Sequence, residues 1–99
     1  MIKKNIIQDY NKNGVVVLRD IVPKKWINVL KRGLKKNFQN PSKFKCVYEK
    51  INKKELFYDD YCNWNKIEEY KNFIYQSNIG KLAQELMQSN KVNLFHEHV

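Results

Sequence analysis

The stretch NLFHEHV, residues Asn93–Val99, decides how the rest of the chain is read. With Lys91 and Val92 it alternates, placing Val92, Leu94, His96 and His98 on one face and Asn93, Phe95, Glu97 and Val99 on the other. A period of two marks a β-strand, whose successive side chains point to opposite faces. Both imidazoles then project from one face, close enough to meet a single divalent ion. Two histidines are not a site, because zinc or iron takes a third ligand, commonly a carboxylate. Glu97 points away in this geometry, so no metal ligand is assigned to the chain.

Working back from that strand, Ile79, Leu82, Ala83, Leu86 and Met87 form an amphipathic helical stripe, with Ser77 as its cap. Trp64, Ile67, Tyr70 and Ile74 form another, opened by Asn63. Leu56–Tyr61 reads as a short strand, and Lys43–Glu55 as a loop or irregular edge strand. Trp26, Val29, Leu30, Leu34 and Phe38 predict a helix that starts at Pro23, whose missing N–H costs nothing in a first turn. Asn40-Pro41-Ser42 ends it. Gly33 counts against that helix, since glycine lowers helix propensity. VVVL, Val15–Leu18, is a β-branched run that reads as a buried strand. Before it, Ile2–Lys12 has helical spacing and stops at Asn13-Gly14. The order is helix, strand, helix, loop, strand, helix, helix, strand. It gives one α+β domain over residues 1–99, with few strands and exposed sheet edges that invite self-association.

The chain has 42% hydrophobic residues, enough for a core, and no apolar run near the roughly 20 residues of a membrane span. No secretory h-region opens it. Two cysteines, Cys46 and Cys62, make neither a disulfide framework nor a CxxC pair, so a reduced, cytoplasmic protein is expected. The net charge of +9 raises the question of an anionic partner. Only Arg19 and Arg32 supply guanidinium groups, and the lysines are spread along the whole sequence. Nucleic acid is therefore set behind the main reading, since arginine is the better residue for bidentate phosphate and base contacts.

Self-sufficient catalysis finds no support. The glycines Gly14, Gly33 and Gly80 form no phosphate loop, and no GxSxG elbow exists. Nothing places Cys46 or Cys62 beside His96 or His98 as a nucleophile pair. Asp59 and Asp60 are neighbours, so in a strand they face apart, and a solvated turn is expected of them.

Taken in order, the segments resemble one family. DYNKNGVVVLRDIVPKKWINVLK (residues 9–31) resembles the opening of phytanoyl-CoA dioxygenase family proteins, where a helix ends in a residue-glycine pair, an apolar strand follows, and a helix begins after a short break. FYDDYCNWNKIEEYKNFIYQSNIGKLAQELMQSNKVNLFHEHV (residues 57–99) resembles the same family further on. It carries an aromatic-acidic strand, a Trp opening a helix, an ELMxS helix end and a VxLFHxH strand. The likeness covers nearly the whole chain apart from its middle loop.

The resemblance implies the helices and first strands of a double-stranded β-helix, the jelly-roll or cupin-like fold, left incomplete. It implies an oxidoreductase that hydroxylates a small organic substrate with Fe(II), 2-oxoglutarate and O2. In that family an HxD motif and a distant His hold the iron, and a later arginine pairs with the 2-oxoglutarate carboxylate. His96-Glu97-His98 is not that HxD, since its third residue is His and it falls on the preceding strand. By the resemblance His98 and His96 line the cosubstrate cavity without ligating iron, and Tyr61 and Trp64 stand at the substrate side of the cavity or its mouth. The triad and the arginine are absent from this sequence. The chain is thus expected to be a truncated frame or fragment, inactive alone, whose catalytic half is encoded separately. The alternative is a small basic binding module for nucleic acid or another anionic partner, resting on the charge and the lysine-rich helix from Pro23 to Phe38.

Overall fold

A computed structural model of the chain describes residues 1–49 and 56–99. They form α1 (Lys4–Asn13), α2 (Lys24–Gln39), β1 (Cys46–Glu49), β2 (Leu56–Asp59), α3 (Glu68–Gln76) and α4 (Ile79–Met87). β1 and β2 pair antiparallel, with Cys46 opposite Asp59, Val47 opposite Tyr58 and Tyr48 opposite Phe57. Tyr48 and Phe57 meet edge to face across this ladder at 5.8 Å, a cross-strand aromatic pair of the kind that stabilises sheets. The segment Lys43–Glu55, expected as a loop or irregular edge strand, thus contains β1, and its residues 50–55 lie outside the described ones.

Each helix follows its stripe. α1 ends at Gly14, which takes φ 72° and donates its N–H to Tyr10 O at 2.7 Å. The left-handed conformation suits glycine, so the Asn13-Gly14 stop works as its sequence suggests. α1 lies on α4, where Ile2 is buried and its N–H donates to Glu85 Oε2 at 2.6 Å. Pro23 stands one place before α2 as its cap, and its carbonyl accepts from Trp26 and Ile27. α2 packs on α3, with Trp26 edge-on to Phe73 at 5.9 Å. Gly33 is the point of closest approach: a Cβ there would stand 2.7 Å from Tyr70 Cε1 and 2.9 Å from Glu69 Cβ. The glycine that counted against the helix is what lets α3 come in against it. Lys36 and Glu69 pair at 2.6 Å alongside.

Four expectations are corrected. Val15–Leu18 joins no sheet and makes no backbone hydrogen bond to a described residue, and Val15 and Val17 are each 68% exposed. A β-branched run is a strand only where a partner strand meets it, and β1 and β2 pair with each other elsewhere. Asn63 does not start a helix at Trp64. Residues 64–66 form a turn, and α3 begins at Glu68, with Glu68 and Glu69 in its first turn, where carboxylates suit the helix dipole. Lys91–Val99 is a strand only at its end, through one bridge between His98 and Tyr61. At α4, Asn78 holds the cap position, while Ser77 Oγ accepts from Ile79 N at 3.3 Å.

The apolar core is small. Ile2, Ile67 and Tyr70 are the buried apolar residues among those described, and Asn37, Asp60 and Asn63 are wholly buried beside them. The surface measures 8248 Å², against about 6,000 Å² for a compact monomer of this mass. The radius of gyration is 16.3 Å, against about 13 Å for a compact domain of this length. Among the described residues no helix is long and apolar enough to cross a membrane.

Candidate functional site

Two side-chain clusters meet along the backbone that follows β2. Asp60 and Val99 exchange both backbone hydrogen bonds, at 3.1 and 2.9 Å, and Cys62 N donates to Glu97 O at 3.4 Å. Tyr61 and His98 are therefore a non-hydrogen-bonded pair, the arrangement that brings opposing side chains closest. The period of two holds here. His98 falls on the side of Tyr61, and Glu97 turns to the other side, where its Oε1 accepts from Asn63 N.

On the Tyr61 side lies a row of aromatic rings. Phe44 stacks on Tyr61 at 4.7 Å with planes 10° apart. Tyr61 stands 5.7 Å from His96 and 5.6 Å from His98, and His96 stands 6.3 Å from His98. Phe95 lies 4.6 Å from His96 and is 90% exposed. His98 Nε2 pairs with Asp59 Oδ1. At the far end Lys43 Nζ sits 5.1 Å from the Phe44 centroid, a cation–π contact. Tyr61, His96 and His98 thus come together. Trp64 does not join them; it packs on Tyr75 at 6.1 Å and lines an apolar groove with Ile79, Ala83, Leu94 and Phe95.

On the Glu97 side lies a buried polar knot. Asp60 Oδ2 accepts from Asn37 Nδ2 at 2.8 Å, from Ser42 N at 2.9 Å and from Tyr58 OH at 3.3 Å. Its Oδ1 accepts from Ser42 Oγ and from Tyr61 N at 2.9 Å. Asn63 Nδ2 donates to Asn37 Oδ1 at 3.2 Å and to Asn40 O at 2.9 Å. Burial pushes the Asp60 carboxyl upward, but the Ser42, Asn37 and Tyr61 donors outweigh it and hold it below the usual aspartate value. The solvated turn expected of Asp59-Asp60 is overturned at Asp60, because donors from α2, from Ser42 and from β2 converge on it. Burial also raises Tyr70, to about 12, with the Glu97 charge adding to it.

Asn37, Ser42, Asp60 and Asn63 are not found by sequence reasoning. One signal was there: Leu30, Gly33, Leu34 and Asn37 share helical spacing, so Asn37 is a polar residue on the apolar face of α2. The knot ties the end of α2 to β2 and to the turn before α3, and this fixes where Tyr61 points.

The aromatic row offers stacking surface, two imidazoles and a cation. It does not form an iron triad, since His98 is engaged with Asp59 and Glu97 faces the knot. Among the described residues no three His, Cys, Asp or Glu side chains gather as a metal set. Cys46 and Cys62 are exposed thiols. Comparison with known proteins finds no family model, no curated protein and no solved structure that matches the chain.

Proposed function

We propose that this chain is the N-terminal segment of a phytanoyl-CoA dioxygenase-like oxygenase, in which it buttresses a catalytic sheet supplied by further polypeptide. The observation that carries this reading is the uncovered surface. The exposed area, 8248 Å², exceeds that of a compact monomer of this mass by about 2,200 Å², more than one side of a standard protein interface. The excess is partly apolar: Val15, Val17, Phe57, Leu94 and Phe95 are all exposed. The two runs that the resemblance makes strands of the major sheet, Val15–Leu18 and Lys91–Val99, carry little or no ladder here. In the completed domain they find their partner strands. His96, His98 and Tyr61 then face the cosubstrate cavity, with Trp64 at its margin.

The completed enzyme would use Fe(II) and 2-oxoglutarate to hydroxylate a small organic substrate. The iron ligands belong to the covering polypeptide, a C-terminal catalytic half. Exposed thiols at Cys46 and Cys62 suit a reducing, cytoplasmic setting.

The test is anaerobic titration with Fe(II) and 2-oxoglutarate, watched for the metal-to-ligand charge-transfer band. The chain joined to the polypeptide encoded directly after Val99, or co-purified with a partner carrying HxD, is expected to give the band, and residues 1–99 alone are not. A band from residues 1–99 alone, or no HxD in either the following frame or any partner, overturns the proposal.

A further inference from the structure

The aromatic row also has an asymmetry along its length. Its two ends differ. At one end Phe44 is covered on one face by Tyr61, and Lys43 lies over the ring as well. Lys45, exposed, follows directly. At the other end Phe95 offers a ring 90% exposed to solvent. Between them Tyr61 and His96 connect the two ends, with His98 beside both, each ring tilted about 50° to the next. A fully open phenylalanine is costly to keep in water, and a line of rings flanked by cations is the recurring construction for holding unpaired bases and their phosphates.

We propose that this row binds single-stranded nucleic acid, with bases stacked on Phe95 and its neighbouring rings and a phosphate drawn to Lys43 and Lys45. A single nucleotide meets only one end of the row, whereas consecutive nucleotides meet both, and this favours a strand over a free nucleotide. Stacking needs no base-edge readout, so the scarcity of arginine does not count against it. The net charge of +9 attracts the polyanion. Asp59, hydrogen-bonded to His98, is the carboxylate beside the row, and no phosphate is placed at that pair. The inference does not rest on the oxygenase reading and claims for the uncovered chain rings that the completed oxygenase would enclose; its readout is binding rather than a metal spectrum, so failure of one is distinguishable from failure of the other.

The test is fluorescence anisotropy of a labelled oligothymidylate of about eight nucleotides, within the span that such surfaces cover, titrated with the full chain at several salt concentrations. Thymidine monophosphate serves as competitor. Wild type is expected to bind with affinity falling as salt rises. Phe95→Ala, which removes a ring 90% exposed to solvent, weakens binding by at least roughly fivefold, the lower end for one lost stacked base. Lys43→Ala with Lys45→Ala flattens the salt dependence by about one phosphate contact. Absence of salt-dependent binding overturns the proposal. So does binding that both variants leave unchanged, which would place it on the α2 lysines. Competition by the mononucleotide as strong as by the unlabelled oligonucleotide overturns the assignment to a strand.

Discussion

Asp60 is a buried carboxylate whose donors are all neutral. Asn37, Ser42, Tyr58 and Tyr61 supply them from three separate parts of the chain, so one side chain holds α2, the Ser42 turn and β2 in register. Hydrogen bonds to a charged group are among the stronger ones, and their loss leaves buried donors unmatched. Asp60→Asn is expected to destabilise the fold by about 2–4 kcal/mol, since the new amide turns a donor toward donors. Its carboxyl is held below the ordinary value of 3.8 in the folded chain. A depressed acid contributes stability that is fully present above the unfolded value and lost as pH falls through the folded one. Denaturant midpoints should therefore drop for wild type as pH falls below about 4, and that acid limb should be shallower in Asp60→Asn. Parallel pH profiles for the two proteins would show that another group governs acid stability.

At the scale of elements, the crossing of α2 and α3 depends on a missing side chain. Gly33→Ala improves helix propensity by about 1 kcal/mol. Yet its methyl would sit 2.7 Å from Tyr70 Cε1 and 2.9 Å from Glu69 Cβ. Tyr70 is itself buried, so its ring cannot simply swing into solvent. Overpacking of this kind costs about 1–3 kcal/mol, and the net expectation is a lower melting temperature despite better intrinsic helicity. A higher one would mean that α3 slides away freely. The same pair shows what a sequence can and cannot convey. Four helices are legible because each repeats apolar residues every three to four positions and ends on Gly14, on Asn40-Pro41, at Ser77 or near Ser89. Local signals suffice for them. Gly33 and Asn37 are not legible as packing and polar-knot residues, because their meaning lies in Tyr70 and Asp60, far away in sequence. Val15–Leu18 misleads for the converse reason: its composition states what it can pair with, and among the described residues no partner strand meets it. At the site, alternation places His96 and His98 together against Tyr61, whereas Phe44 and Phe95 enter the row only through folding.

At the scale of the whole molecule, three buried apolar residues among those described support a chain that exposes 8248 Å². Burial at this level leaves a thin stability margin. The exposed valines at 15 and 17 discriminate between a chain that is finished and one that awaits a cover. Both positions are 68% exposed, and surface changes of that kind stay within about 0.5 kcal/mol. In residues 1–99 alone, the double variant Val15→Lys/Val17→Lys should melt like wild type. It should also sediment with less concentration dependence, since charge on an unpaired strand discourages edge-to-edge association. Joined to a polypeptide that pairs with this run, the same two lysines become buried and unpaired, and stability should fall by several kcal/mol, on the order of the cost of an uncompensated buried charge. Melting curves and sedimentation velocity on the short and the extended chains read both effects. If the valines are equally indifferent in both, the run is an ordinary exposed connection, and the uncovered surface must be satisfied elsewhere.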